Sequence, residues 1–282
     1  MNWIVAKEKL SDQTIRLEIR SSDIALKFNP GHHVIIQLTK DGDRIPLVIS
    51  DVNLVNESFS VFIPKKEVIH YRFGGLNVGD VIHSLEGPLG EPIAIEQGQT
   101  IICAAGGIGI LPLLPIVKAL KKAGNTVYTV LGARSKEFII LENEFRKISD
   151  ELHLYTDDGS VGGEGFVTEG ILDLLQRKKV SKVITFGPSR MIKYSFLLTR
   201  RYDVPLTATL YAMRLVGNAI GGIYSVAACD RSKYICVDGN DYNAFYPDFD
   251  AMIKGMEGFL KEDDAGNQNY QQEMSLFAPL SK

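Results

Sequence analysis

Three glycines within four residues, Gly106-Gly107-Ile108-Gly109, close the apolar run Ile101-Ile102-Cys103-Ala104-Ala105 and precede an amphipathic stretch from Leu113 to Ala123. A buried strand that ends in a tight glycine turn and opens a helix can bind an anion. Glycine lets the backbone approach a pyrophosphate, and the helix start offers free N–H groups and the positive end of its dipole. The spacing is not the G-x-G-x-x-G fingerprint, and a plain tight connection explains such a turn equally well. Two further groups follow apolar runs in the same manner: Gly132-Ala133-Arg134-Ser135 and Phe186-Gly187-Pro188. The three cysteines, Cys103, Cys229 and Cys236, are too few for a disulfide framework and suit a reducing interior.

The elements that must position these groups change character along the chain. Ile4 to Lys9, Thr14 to Arg20, His33 to Leu38, Ser58 to Ile63 and Asp80 to Leu85 read as short strands, punctuated by turns such as Asn29-Pro30-Gly31 and Gly87-Pro88-Leu89-Gly90. That rhythm predicts a small antiparallel β-barrel or sandwich over residues 1–98, with a helix-capable piece from Val68 to Leu76. Residues 99–211 alternate instead. Strands are expected at Thr100 to Ala104, Val127 to Gly132, Leu152 to Thr156 and Lys182 to Phe186. Helices are expected at Leu113 to Ala123, Glu142 to Lys147, Thr168 to Arg177 and Ser189 to Arg201. Alternation of this kind predicts a doubly wound parallel α/β sheet whose ligands sit at the C-terminal strand ends. Residues 212–260 read as a small lobe, loop-like from Val216 to Gly239 with one helix from Asp248 to Phe259, and 261–282 as a polar tail.

The 282 residues are enough for two modest cores, and 45% apolar with 23% charged residues is an ordinary globular balance. A net charge of −3 gives no case for nucleic acid or an anionic membrane surface. No apolar run approaches the roughly 20 residues of a membrane span. The N-terminus enters a strand-like pattern without a signal-peptide core, and the expected location is the cytoplasm.

Several motifs occur in one order: Phe28-Asn29-Pro30-Gly31-His32-His33-Val34, Arg44-Ile45-Pro46-Leu47, Gly87-Pro88-Leu89-Gly90, the Gly106 turn, Gly132-Ala133-Arg134, Thr156-Asp157-Asp158-Gly159-Ser160, Gly187-Pro188-Ser189-Arg190-Met191 and Cys236-Val237-Asp238-Gly239. Together they resemble the ferredoxin–NADP⁺ reductase superfamily. Within it they are similar to the branch of the dihydroorotate dehydrogenase electron-transfer subunit and the small subunit of NADH-dependent ferredoxin:NADP⁺ oxidoreductase. The resemblance implies a barrel that holds FAD, an α/β domain that receives NAD(H) or NADP(H), and a C-terminal lobe with a 2Fe–2S cluster. It also implies a larger redox subunit as partner in a hetero-oligomer.

Carried over residue by residue, the resemblance places the pyrophosphate turn at Gly106, Gly107 and Gly109, and the turn beneath the nicotinamide at Gly187, Pro188 and Met191. Arg134 and Ser135 fall where the adenosine ribose lies; the pair would suit a 2′-phosphate, while Glu142 nearby leaves NADH open. Asp157 and Asp158 are acidic contacts or simply members of an Asx turn. On the flavin side, Arg44 pairs with a phosphate, Pro46 and Leu47 lie along the isoalloxazine, and Val48 stands where relatives have a hydroxyl residue at the flavin edge. Glu67, Val68, Ile69 and His70 replace a small-residue turn that opens onto the FAD pyrophosphate. In the last lobe Val216, Gly221 and Tyr224 replace an acid and two cysteines. A 2Fe–2S cluster needs four protein ligands, so the cluster is expected to be absent. No catalytic side chain and no metal ligand is assigned. Two functions follow: an NAD(P)H-oxidising electron-transfer flavoprotein subunit, or a cofactor-depleted subunit that holds or regulates a redox complex.

Overall fold

The computed structural model describes residues 2–11, 14–42, 44–64, 73–90, 92–210, 214–216, 219–221 and 224–228. In the N-terminal part, β1 (Ile4–Ser11), β2 (Thr14–Arg20), β3 (His33–Gln37), β4 (Arg44–Asn53), β5 (Ser58–Pro64) and β6 (Ser84–Leu89) form one antiparallel sheet in the order β1-β2-β5-β4-β3-β6. Strand alternation turns Leu17, Ile19, Val34, Ile36, Ile45, Leu47, Ile49, Phe59, Val61 and Ile63 to one buried face. The sheet rolls up without closing as a ladder between β1 and β6. Ile4 and Asn2 instead bond the segment before β6, through Ile4 N–H to the Asp80 carbonyl at 2.9 Å and Ile82 N–H to the Asn2 carbonyl at 2.9 Å.

β4 is an element the sequence pattern did not announce, because Pro46 within a run argues against a strand. The register explains its tolerance. Arg44 to Val48 pairs with β3 and Ile49 to Asn53 with β5. Pro46 therefore sits where β4 has one strand partner, and a missing N–H on the other edge breaks no ladder. A short helix, Ser22–Lys27, is likewise unannounced, and β6 lies several residues beyond the strand expected from Asp80. The helix expected from Val68 falls, except for its last residues, outside the described residues, as does the one from Asp248.

The second sheet has seven strands in the order β10-β9-β8-β7-β11-β12-β15. They are β7 (Thr100–Gly106), β8 (Thr126–Ala133), β9 (Glu151–Thr156), β10 (Gly163–Glu164), β11 (Lys182–Gly187), β12 (Leu206–Leu210) and β15 (Tyr224–Ala228). All pair in parallel except β15, which runs antiparallel to β12. Ile101, Cys103 and Ala105 of β7 join a core with helices Ile110–Lys122 and Glu142–Ile148 on one face. Ile102 and Ala104 join a core with helices Val167–Arg177 and Ser189–Arg201 on the other. A strand buried on both faces must be apolar throughout, as that run is. Between β12 and β15, β13 (Arg214–Val216) and β14 (Ala219–Gly221) pair as an antiparallel ladder. The loop-like reading from Val216 is therefore corrected for its described part. Each is three residues long, too short for a period to show, and backbone pairing makes it a strand.

The two sheets meet at the outer side of β4 and β5. Phe62 of β5 is buried in the core of the second sheet, Lys118 of helix Ile110–Lys122 reaches Asp51 of β4 at 2.5 Å, and the Ile93 N–H bonds the Pro30 carbonyl at 2.9 Å.

Candidate functional site

Strand order in the parallel sheet reverses between β7 and β11, since β8 and β9 lie to one side of β7 while β11 and β12 lie to the other. The connections leaving these two neighbours go to opposite faces, and the C-terminal ends between them are the crevice of a doubly wound sheet. Gly109 brings the turn after β7 directly onto the end of β11: a Cβ on it would stand 2.4 Å from the Phe186 carbonyl oxygen and 3.0 Å from the Gly187 nitrogen. Neither contact is a side chain that can swing away. Cβ atoms on Gly106 and on Gly187 would each lie 2.8 Å from the Met191 sulfur, and Gly106's would also lie 3.4 Å from Pro188 Cδ. Met191 is buried against both glycines. Gly106, Gly109, Gly187, Pro188 and Met191 thus form one close-packed seam.

Gly107 differs from its neighbours. Its φ is +56°, and a Cβ there would meet nothing within 4 Å. The left-handed conformation, not crowding, is what favours glycine, and the space beside it is open. Helix Ile110–Lys122 starts three residues later with no side-chain cap, so its first N–H groups stand at the end of this turn.

A second cluster sits at the ends of β8 and β9. Asp157 N–H bonds the Ala133 carbonyl at 3.1 Å, and Lys136 N–H bonds Ser160 Oγ at 2.8 Å. Asp158 Oδ1 accepts from the Ser160 N–H at 3.0 Å and from its hydroxyl at 2.5 Å, which is an Asx turn. Asp157 is different: burial raises its carboxyl pKa, the positive charge of Arg134 opposes that rise, and Asp158 adds to it. Arg134 is exposed, and Ser135 accepts the Phe138 N–H through its carbonyl. Glu142 is engaged by Arg146 at 2.6 Å. Gly132 here is structural, since a Cβ would lie 2.3 Å from Val167 Cγ2.

The third cluster covers the outer face of β6, β3 and β4. Arg44, Pro46 and Val48 alternate with the core residues Ile45, Leu47 and Ile49. Leu47, fully buried inside the barrel-like core, is thus parted from the other three expected flavin contacts. Directly opposed residues of antiparallel strands share a face. Arg44 faces Gln37, Pro46 faces Ile35, and Val48 faces His33. From β6, Glu86 opposes Ile35 and Leu89 opposes His33. Arg44 Nη2 lies 2.5 Å from Glu86 Oε2, which raises the guanidinium pKa and lowers that of the carboxyl through the shared hydrogen bond. Both side chains are close to half exposed, so water screens the pair. Glu86 escaped the motif reading, and His33 was read only as a member of the Phe28 to Val34 motif, because only the strand register brings them beside Arg44 and Val48.

Cys103 is buried in the second core, and burial pushes its thiol pKa up, as suits a packing residue. Among the described residues no group of three or more His, Cys, Asp and Glu side chains is arranged to hold a metal. Cys229 and Cys236 lie outside the described residues.

No family model matches the chain. It is similar to the dihydroorotate dehydrogenase B (NAD(+)) electron transfer subunit homolog of Thermotoga maritima, at 33% identity over 270 residues that cover 96% of this chain and 95% of the relative. The dihydroorotate dehydrogenase B (NAD(+)) electron transfer subunit of Desulforamulus reducens is 28% identical over 232 residues, 79% of this chain and 86% of that one. Among solved structures, a chain from a study of flavin-based electron bifurcation in NADH-dependent reduced ferredoxin-NADP oxidoreductase superposes with a TM-score of 0.75 at 32% identity, covering 96% of this chain and 98% of the other. An Amycolatopsis cytochrome P450 reductase shares the fold, with a TM-score of 0.63 at 17% identity over 73% of this chain and 68% of that one.

Proposed function

The chain belongs to the family of dihydroorotate dehydrogenase B electron transfer subunits and their homologues, and from that premise we propose that it passes reducing equivalents between a nicotinamide nucleotide and a flavin and on to a larger partner subunit. The observation that carries this reading is the glycine seam where the order of the parallel sheet reverses. There Gly107 has open space beside it while Gly106 and Gly109 pack the turn onto β11, and a dinucleotide pyrophosphate takes backbone N–H groups at this turn and the helix start. Pro188 and Met191 support the nicotinamide end, and Arg134 with Ser135 the adenosine ribose. Asp157, whose carboxyl feels the charge of Arg134, leaves little net positive charge for a 2′-phosphate, so we assign NADH over NADPH. The two dihydroorotate dehydrogenase B relatives are NAD(+)-linked by name.

The outer face of β3, β4 and β6 fits a flavin. It offers the flat apolar Pro46 and Val48, a cation at Arg44 and a buried imidazole at His33. When bound, FAD supplies a carrier that takes a hydride's two electrons together and releases them as a pair or singly. The chain's own part is placement: Pro46 and Val48 exclude water from the ring, and Arg44 neutralises phosphate in competition with Glu86. We further propose that no 2Fe–2S cluster is held, because Val216, Gly221 and Tyr224 stand at the positions of an acid and two cysteines. A cytoplasmic location is proposed with it; no described helix is long and apolar enough to cross a membrane.

Kinship with electron transfer subunits favours this function over a cofactor-depleted scaffold. The discriminating measurement is the flavin content of the purified chain, followed by anaerobic titration with NADH. About one FAD per chain, bleached by NADH, is expected; a colourless chain that takes up no added FAD would leave only the scaffold. Anaerobic reconstitution that yielded two iron and two sulfide per chain would refute the missing cluster.

A further inference from the structure

His33 lies in the Phe28 to Val34 motif, yet no role has been given to its imidazole. Its neighbours Val34 and Ile36 point into the core with no exposure, so His33 projects to the opposite, outer face of β3. There it lies between Val48 of β4 and Leu89 of β6, its direct partners in the two ladders. The ring rests on the turn after β6: Gly90 has a φ of +87°, and a Cβ on it would stand 3.0 Å from His33 Nδ1 and 3.2 Å from Cε1. The side chain is only 9% exposed, yet no described residue hydrogen-bonds its imidazole. The adjacent His32 shows the contrast. It is equally buried, but its Nδ1 accepts the Asn29 N–H at 3.0 Å and so closes a turn. Among the described residues only Thr185 Oγ1 is a polar side-chain atom sealed away without a partner, so the His33 nitrogens are not closed off and a ligand can bond them.

We infer that His33 is a flavin-contact residue whose imidazole hydrogen-bonds the polar edge of the ring beside Val48. The layout of the face says why the ligand is of this class. Arg44 and Val48 are four residues apart on one strand, roughly 13 Å at about 3.3 Å per residue, with Pro46 between them. A cation at one end, an apolar floor and a neutral hydrogen-bonding ring at the other match a flat heteroaromatic ring joined to a phosphate. Val48 itself offers no hydrogen bond, and His33 directly across the ladder supplies one from the neighbouring strand. Burial and the neighbouring His32 keep the ring neutral near neutral pH, with one N–H to donate and one nitrogen to accept. This inference rests on the flavin reading above and adds the group that orients the ring.

The test uses the full chain and its variants His33→Leu, His33→Gln and the double variant His33→Leu with Val48→Thr. FAD affinity is read by flavin fluorescence, and the flavin midpoint potential by dye equilibration. His33→Leu is expected to weaken FAD about five- to tenfold, the loss of one neutral hydrogen bond, and to move the potential. His33→Gln should recover most of both, and the added threonine part of both. NADH affinity should stay unchanged in all of them, which separates a lost contact from a damaged fold. Should the leucine variant fail to fold, His33→Phe reads the same contact. Unchanged FAD affinity and potential in the apolar variant would overturn the role of His33 alone. A wild-type chain that binds no flavin would overturn the flavin reading and this inference together.

Discussion

The seam proposed for the nicotinamide nucleotide and the face proposed for the flavin are built on different principles. The seam is made of backbone: Gly106, Gly109 and Gly187 are required because carbonyl oxygens and the Met191 sulfur stand where a Cβ would go. The flavin face is made of side chains contributed by three strands that are far apart in sequence. A backbone site cannot drift without breaking the fold around it. A side-chain site can exchange a hydroxyl for Val48 or acquire Glu86 beside Arg44 while every strand keeps its register. The two regions should therefore respond differently to substitution.

The largest effect is expected at Gly107. Its surroundings have room, so Gly107→Asp should leave the chain folded yet abolish NADH binding, a loss of at least about a hundredfold, by placing a carboxylate on the pyrophosphate path. Calorimetric titration with NADH checks this, and unchanged affinity would move the nucleotide elsewhere. Gly109→Ala is the complement: a Cβ 2.4 Å from the Phe186 carbonyl should cost about 3 kcal/mol, read as a lowered urea midpoint. If the alanine chain is as stable as the parent, the seam is looser than its distances state.

On the flavin face the effects shrink. Val48→Thr adds a hydroxyl beside His33, and flavin reduction by NADH in stopped flow should become severalfold faster. A parent rate equal to or above the variant's would mean that valine is no loss there. Glu86→Gln releases Arg44 from its ion pair and should tighten FAD about two- to threefold, with the gain fading in high salt as screening grows. An identical affinity at low salt would show that Arg44 does not meet a phosphate.

The smallest expected effect is a pH dependence of stability. Burial holds His32 and His33 below the ordinary histidine pKa, so the unfolded chain takes up protons first as pH falls. Stability should be flat above about 6.5 and decline below it, because protons then favour the unfolded state. His33→Leu should flatten the fall in Tm between pH 7 and 5; an unaltered slope would assign it to other groups.

The seam was legible before any coordinates because local chemistry writes it. Ile101 to Ala105 must be apolar to lie in a strand covered on both faces, and the turn after it must be glycine to close on β11. The alternation of strands and helices behind it follows from the same periodicity. β4 was not legible, since Pro46 is tolerated only through a partner exchange between β3 and β5. β13 and β14 were hidden for a related reason: each is three residues long, too short for a period to show, and pairing makes it a strand.

What the sequence by itself determined is the class of each half, the glycine turns and the branch of the family, all properties of residues near one another in the chain. The tertiary structure alone decided that Leu47 belongs to the core while Pro46 and Val48 do not, that Glu86 answers Arg44, and that His33 stands unpartnered beside Val48. The physical reason is register. An antiparallel ladder sets which residues of distant segments share a face, and no local propensity contains that information.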